Sequence, residues 1–226
     1  MKKRRRTKES QYEYILEISN KYGIDKLGLM TNQAWNEDPK HFLFTLARYK
    51  FVAKMLSGNE KVLEIGCADA FGTRIVQQTV KNVTAVDFDP VFIEDIKSRS
   101  NPHWSLKCFV HDIQEGPVPG KFDAIYCLDV LEHIKPKKEE LFLTNMKNSL
   151  KNNGIAIIGI PSLESQTYAS PQSKAGHVNN KSGEDFKKLM ARHFYNVFVF
   201  SMNDEVVHTG FYPMAHYLMA LCCGKK

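Results

Sequence analysis

The stretch VLEIGCADAFGT, Val62 to Thr73, decides the fold. The apolar run KVLEI (61–65) stops at Gly66, and GTRIVQQTV (72–80) continues with helical spacing. A short apolar run bounded by glycine reads as a buried strand. Strand, tight loop and helix in this order present the free N–H groups of a helix N-terminus at the strand's carboxyl end, which suits an anion. Gly66 lets a ligand approach the backbone closely. Ala68 and Ala70 stand where glycine is usual, and they are expected to leave less room and not to take up positive φ easily. The GxGxxG spacing of a pyrophosphate site is absent, which argues against NAD and FAD.

The same alternation runs outward from this stretch. VTAVD (83–87), SLKCFV (105–110), FDAIYCL (122–128), IAIIGI (155–160), NVFVF (196–200) and HYLMALCC (216–223) read as strands. Helical patterns lie between them: PVFIEDIKSR from Pro90, a helix from about 138 to 150 closed by NNG (152–154), and GEDFKKLMARHF (183–194). Residues 11–56 read as helical, with Phe42, Leu46, Tyr49, Ala53 and Leu56 on one core-facing stripe. The expected fold is α/β: a doubly wound, seven-stranded, mostly parallel sheet with helices on both faces. The last two strands have only the loop 201–214 between them and should pair antiparallel, reversing the final strand. An N-terminal helical cap precedes the sheet.

Ligands of such sheets sit beyond the carboxyl ends of the strands. Asp87 ends the second strand, where a carboxylate accepts from ribose hydroxyls. Asp112, in HDI, is placed to accept from an adenine amino group. With a small anion at the first loop, the three describe an adenosine bearing an amino-acid tail, S-adenosylmethionine.

These segments resemble the class I S-adenosylmethionine-dependent methyltransferases. VLEIGCADAFGT is similar to their glycine motif, VTAVDFDP to their ribose motif, HDI to the adenine-side motif, and FDAIYCLDVLEHI to the strand-four motif. The resemblance implies a Rossmann-like core and a cofactor set of Glu64, Gly66, Cys67, Ala68, Asp87, Phe88, Asp112, Ile113, Leu128 and Asp129. Arg48 and Tyr49, on the helix before the first strand, are placed to reach the cofactor carboxylate. The pattern also resembles bacterial surface-polysaccharide (capsule) methyltransferases and the ubiquinone-pathway O-methyltransferases. It implies SN2 methyl transfer, with S-adenosylhomocysteine as product, to a polar small molecule. A hydroxyl of a sugar or sugar-nucleotide capsule precursor is the first expectation, and a phosphoramidate-type modification an outlying one.

The polar loop PSLESQTYASPQSKAGHVNNKSG (161–183) lies at the active edge, as loops of such length in compact domains usually serve function. Tyr168, Lys174 and His177 there, His208 on the terminal hairpin and Trp35 in the cap are the expected substrate contacts. His177 and His133 are the expected catalytic bases, since an imidazole titrates near neutrality. No fixed ligand spacing is present, so no metal is expected.

Composition limits the alternatives. Of 226 residues, 43% are hydrophobic and 25% charged, an ordinary globular balance. The first ten residues hold six Lys/Arg and one Glu, while the other 216 carry 25 basic and 24 acidic groups. The net charge of +6 is therefore a tail (1–10, read as disordered), not a nucleic-acid stripe on the domain (11–226, with helices or lid at 11–56 and core at 57–226). No (D/N)PP(Y/F) motif follows strand four, and Cys127 lies inside a strand, so base-methylating chemistry is not expected. Five cysteines without CxxC spacing, no apolar run of spanning length and no secretory pattern lead us to expect a cytoplasmic protein. Two other readings stay open: an RNA or protein methyltransferase docking through the tail, and a non-catalytic cofactor-binding scaffold.

Overall fold

The computed structural model describes residues 7–226, and most of the basic tail lies outside the described residues. Thr7 donates to Glu13 through its N–H and hydroxyl, at 3.0 and 3.1 Å. The segment read as helical from 11 to 56 is three helices, α1 (Glu13–Tyr22), α2 (Leu29–Glu37) and α3 (Pro39–Met55). It breaks where glycine and proline stand: Gly23 has φ +81°, and Asp38 caps α3 by accepting from the Lys40 N–H with Pro39 at the first helical position. Asp89 and Pro90 repeat the device at α5 (Pro90–Ser98), where Asp89 accepts from Val91 N–H.

The strands are β1 (Lys61–Ile65), β2 (Asn82–Asp87), β3 (Lys107–Val110), β4 (Phe122–Leu128) and β5 (Leu150–Pro161), then β6 (Phe194–Asn203), β7 (Val206–His208) and β8 (Tyr217–Lys225). They form one sheet of order β3-β2-β1-β4-β5-β8-β6-β7. β1 to β5 pair in parallel, and β8 lies antiparallel between β5 and β6, so the reversed last strand is as expected. β7 is an addition of three residues, folded back on β6 from within the segment read as a hairpin loop.

Alternation along the strands sorts the core onto two faces. Leu63, Ile125, Cys127 and Ile158 meet α6 (Pro136–Ser149) and α8 (Gly183–His193) through Phe142, Met146, Phe186 and Met190. Val62, Ala124, Tyr126 and Ile157 meet α3 and α4 (Thr73–Val76) through Val52, Leu56 and Val76. The sheet is buried on both sides, which is why its central strands read as unbroken apolar runs.

Two expectations need correction here. α4 is one turn, not a helix over 72–80, because the Thr79 hydroxyl turns to the Ala53 carbonyl of α3 at 2.8 Å. The NNG of 152–154 does not close a helix; it lies inside β5, at a shift in the β4–β5 register.

Candidate active site

The loop after β1 is built on positive φ: Gly66 at +73°, Ala68 at +44° and Ala70 at +54°. The alanines thus adopt the conformation that their side chains disfavour, at a cost of about 1 kcal/mol each. This corrects the expectation that they would avoid it. The loop is held by surrounding bonds. Gly66 and Cys67 N–H both donate to the Val86 carbonyl, and Ala68 N–H donates to Asp87 Oδ2 at 2.9 Å. A side chain at Gly66 would meet Val130 Cγ2 at 2.3 Å, so glycine is required by the segment after β4 as much as by any ligand.

Glu64 lies buried beneath the loop. Its carboxylate accepts from Tyr49 at 3.0 Å, Thr73 at 2.5 Å and Tyr126 at 2.8 Å. Burial pushes its pKa up to about 7, against the pull of the three hydroxyls. Glu64 shapes the loop and does not face a ligand. Tyr49 is spent on this bond, so it does not reach the cofactor carboxylate.

Asp87 is 5% exposed, and each of its oxygens accepts one backbone N–H, from Ala68 and from Asp89. A carboxylate oxygen offers about two acceptor sites, so capacity remains for two hydroxyls. Phe88 beside it is 70% exposed at the sheet edge, a large apolar face without a protein partner. Asp112 accepts from Gln114 N–H through Oδ1, which leaves Oδ2 free. These groups fit an adenosine: paired acceptors for a diol, an aromatic face for a base, and an acceptor for an amino group. Cys67, Ile113 and Leu128 are buried in the core, so their side chains do not join this set and only their backbone lies near it. A cleft of about 470 Å³ is lined by Asp69, Ala70, Arg74, Arg99 and Trp104 and includes neither Asp87 nor Asp112.

Arg48 is neither a solvated residue nor a free carboxylate ligand. Its Nη1 binds both oxygens of Asp129 at 2.9 and 2.7 Å, and its guanidinium lies 3.8 Å from the Tyr217 ring centroid. Asp129 takes φ +56° to make this pair.

Next to it, His133 and His177 come together, with ring centroids 5.0 Å apart. His133 Nδ1 lies 3.0 Å from the Gly176 carbonyl, and His177 Nδ1 lies 2.8 Å from Gln166 Oε1. Both partners are acceptors, so each Nδ1 carries the proton and each Nε2 keeps its lone pair. Burial, and after it the proximity of His133, lower the pKa of His177. The loop carrying His177 is not irregular. It contains a 3₁₀ segment, Glu164–Tyr168, and α7 (Pro171–Gly176), and the backbone N–H groups of Val178 and Asn179 both donate to the Glu132 carbonyl.

Three expected substrate contacts are not gathered here by direct bonds. Tyr168 is 89% exposed. Lys174 donates to the Thr167 carbonyl. Trp35, half exposed on α2, packs edge-on against Phe42. His208 is placed elsewhere: β7 lies four strands from β4, about 19 Å across the sheet. Its ring nitrogens are taken by Asn203 and by Gly210 N–H.

Sequence reasoning missed Asp69 and Glu132. Asp69 accepts from Thr31 N–H at 2.7 Å and from the Thr31 hydroxyl, capping α2 from outside and tying the N-terminal helices to the loop. Glu132 sits between Leu131 and His133 in a short 3₁₀ turn, where no helical or strand period marks it. The only signal was its adjacency to a histidine.

Residues 63–158 match a protein family described as "Methyltransferase domain". The chain is 30% identical over 103 residues to the mitochondrial ubiquinone biosynthesis O-methyltransferase of Schizosaccharomyces pombe, covering 44% of this chain and 37% of that protein. It is 25% identical over 118 residues to the ubiquinone biosynthesis O-methyltransferase of Xanthomonas campestris pv. campestris, covering 49% of each. The chain thus spans half or less of the length of these two relatives. Among solved structures it is similar to the N-methyltransferase NodS from Bradyrhizobium japonicum WM9 in complex with S-adenosylhomocysteine. That match has a TM-score of 0.60 at 19% identity, over 84% of this chain and 90% of that one.

Proposed function

We propose, for a chain that carries a methyltransferase domain at residues 63–158 on the class I fold, that it moves a methyl group from S-adenosylmethionine to a hydroxyl oxygen of a small polar acceptor. The observation that carries this is Asp87, a nearly buried carboxylate at the end of β2 with unused acceptor capacity, beside the exposed ring of Phe88. When bound, the cofactor supplies an electrophilic methyl carbon on a sulfonium, and S-adenosylhomocysteine is the product.

The chain's own residues bind, orient and handle a proton. Asp87 accepts from the ribose hydroxyls, Phe88 packs on the base, and Asp112 Oδ2 accepts from its amino group. The turn 66–70 takes the amino-acid end, and the Arg48–Asp129 pair forms the floor next to it. Most of the rate comes from holding donor and acceptor in line, about 3 Å apart. The acceptor's proton is dealt with at the His133–His177 corner, where both free Nε2 atoms lie. The helices 11–56, tied to the loop through Thr31 and Asp69, serve as the lid.

The acceptor reading is a hydroxyl of a sugar or sugar nucleotide, such as a capsule precursor, used in the cytoplasm. The polar segment 162–182 supports it, with Gln166 and Asn180 both bonded to His177. The two ubiquinone-pathway relatives support oxygen as the acceptor atom, and they make a hydroxylated ring the competing acceptor class.

Calorimetric titration with S-adenosylmethionine and S-adenosylhomocysteine tests the reading. Micromolar binding of both is expected. Failure of a folded protein to bind either would overturn it. Binding without S-adenosylhomocysteine formation, across panels of sugar nucleotides and hydroxylated quinol precursors, would leave the scaffold reading.

A further inference from the structure

Glu132 is fully buried, and neither of its carboxylate oxygens has a hydrogen-bond partner. A buried carboxylate without partners is among the most costly groups a fold can keep. One cation, Arg48, lies close, but both of its short contacts go to Asp129. Arg48 is thus taken up by Asp129, and both Glu132 oxygens stay without a hydrogen-bond partner.

The other groups at the corner are suited to hold a cation against these oxygens. One carboxylate oxygen of Glu132 and one ring nitrogen each of His133 and His177 lie within 4.8 Å of one another. Ligand atoms about 2.1 Å from a common ion are about 3 to 4 Å apart, so small side-chain movements close the set. Each imidazole is already oriented by its second nitrogen, His133 on the Gly176 carbonyl and His177 on Gln166. This is the outer-shell arrangement that fixes a ligating tautomer. The scaffold is fixed too. Val178 and Asn179 N–H clamp the Glu132 carbonyl, and Asn179 and Lys181 are both held by Glu139, at 2.7 and 2.6 Å.

We propose that Glu132, His133 and His177 bind a divalent first-row transition-metal ion at the acceptor end of the site. Two imidazoles and one carboxylate suit manganese, iron, cobalt or zinc rather than the all-oxygen shell of magnesium. Three protein ligands leave open positions for water or an acceptor oxygen, and the ion's charge eases loss of the acceptor's hydroxyl proton. The histidines then hold the ion and do not themselves remove the proton. The role in catalysis rests on the methyl-transfer reading; the binding site does not.

The test is therefore binding. The full chain, stripped with chelator, is titrated with Co²⁺ followed by its visible absorption, and with Zn²⁺ and Mn²⁺ by calorimetry, without cofactor. One equivalent is expected to bind saturably. Glu132→Gln and His177→Ala should weaken binding by 100-fold or more, and Gln166→Ala by about 10-fold through loss of His177 orientation. Cofactor affinity, measured separately, should change less than about twofold in Glu132→Gln, and thermal unfolding of each variant reports whether it is folded. Absence of saturable binding by the folded wild-type chain, or binding unchanged in both Glu132→Gln and His177→Ala, would overturn the site. Ion binding without cofactor binding would sink the methyl-transfer reading and leave the site standing. Cofactor binding without ion binding would do the reverse.

Discussion

Glu64 and Glu132 are both buried carboxylates at the carboxyl edge of one sheet, and they differ in company. Glu64 accepts from three hydroxyls and sits inside a finished network. Glu132 accepts from none. A buried carboxyl with both oxygens bonded is part of the scaffold. One with every acceptor unused, next to two oriented imidazoles, marks a place where something else completes the structure.

Substitutions should separate the two residues. The largest effect is expected from Asp87→Ala, on the cofactor side: loss of S-adenosylmethionine binding beyond detection by calorimetry. Normal binding would mean the cofactor is placed wrongly. Next, Glu64→Ala strands three buried hydroxyls and should cost about 3 kcal/mol in urea unfolding. Glu132→Gln, in chelator, replaces a buried carboxyl that has no hydrogen-bond partner and should be neutral or stabilising by about 1 kcal/mol. Equal losses at both positions would erase the distinction drawn above.

The pH dependence sharpens it. Glu64 has a folded pKa of about 7 against an ordinary value of 4.5. A carboxyl raised in the folded state gives stability that is fully present below the unfolded pKa and lost as pH rises through the folded one. Unfolding free energy should therefore fall between about pH 4.5 and 7, and Glu64→Gln should flatten that limb. The smallest effect concerns the loop: Ala68→Gly and Ala70→Gly should each stabilise by up to about 1 kcal/mol, because the native φ values are positive. Destabilisation at both would show that the loop tolerates its alanines without strain.

Much of this was legible in the sequence. The parallel sheet, the order of motifs and Asp87 follow from apolar runs and glycine placement, which are local signals. The conformation of Ala68 and Ala70 was not, because propensity argues against it and the bonds that impose it come from Val86 and Asp87. Nor was the pairing of Arg48 with Asp129, which are 81 positions apart. His208 looked like a site residue because it lies at the right edge, but strand order, set by the insertion of β8 between β5 and β6, moves it away. Glu132 lies in the strand-four motif but carries no local signal, since its lack of partners is a property of three dimensions only.

The segment carrying His177 is fastened largely by its main chain: Leu163 N–H to the Lys181 carbonyl at its base, Val178 and Asn179 N–H to Glu132 near its tip. Backbone bonds do not read side-chain identity. Between those anchors, at 164–176, residues other than Gln166, which holds His177, and Gly176, which faces His133, can be exchanged with little effect on where the segment sits. Such a segment behaves as a replaceable cassette, one that can drift in sequence, or be grafted from another chain, while the loops after β1 and β2 stay as they are.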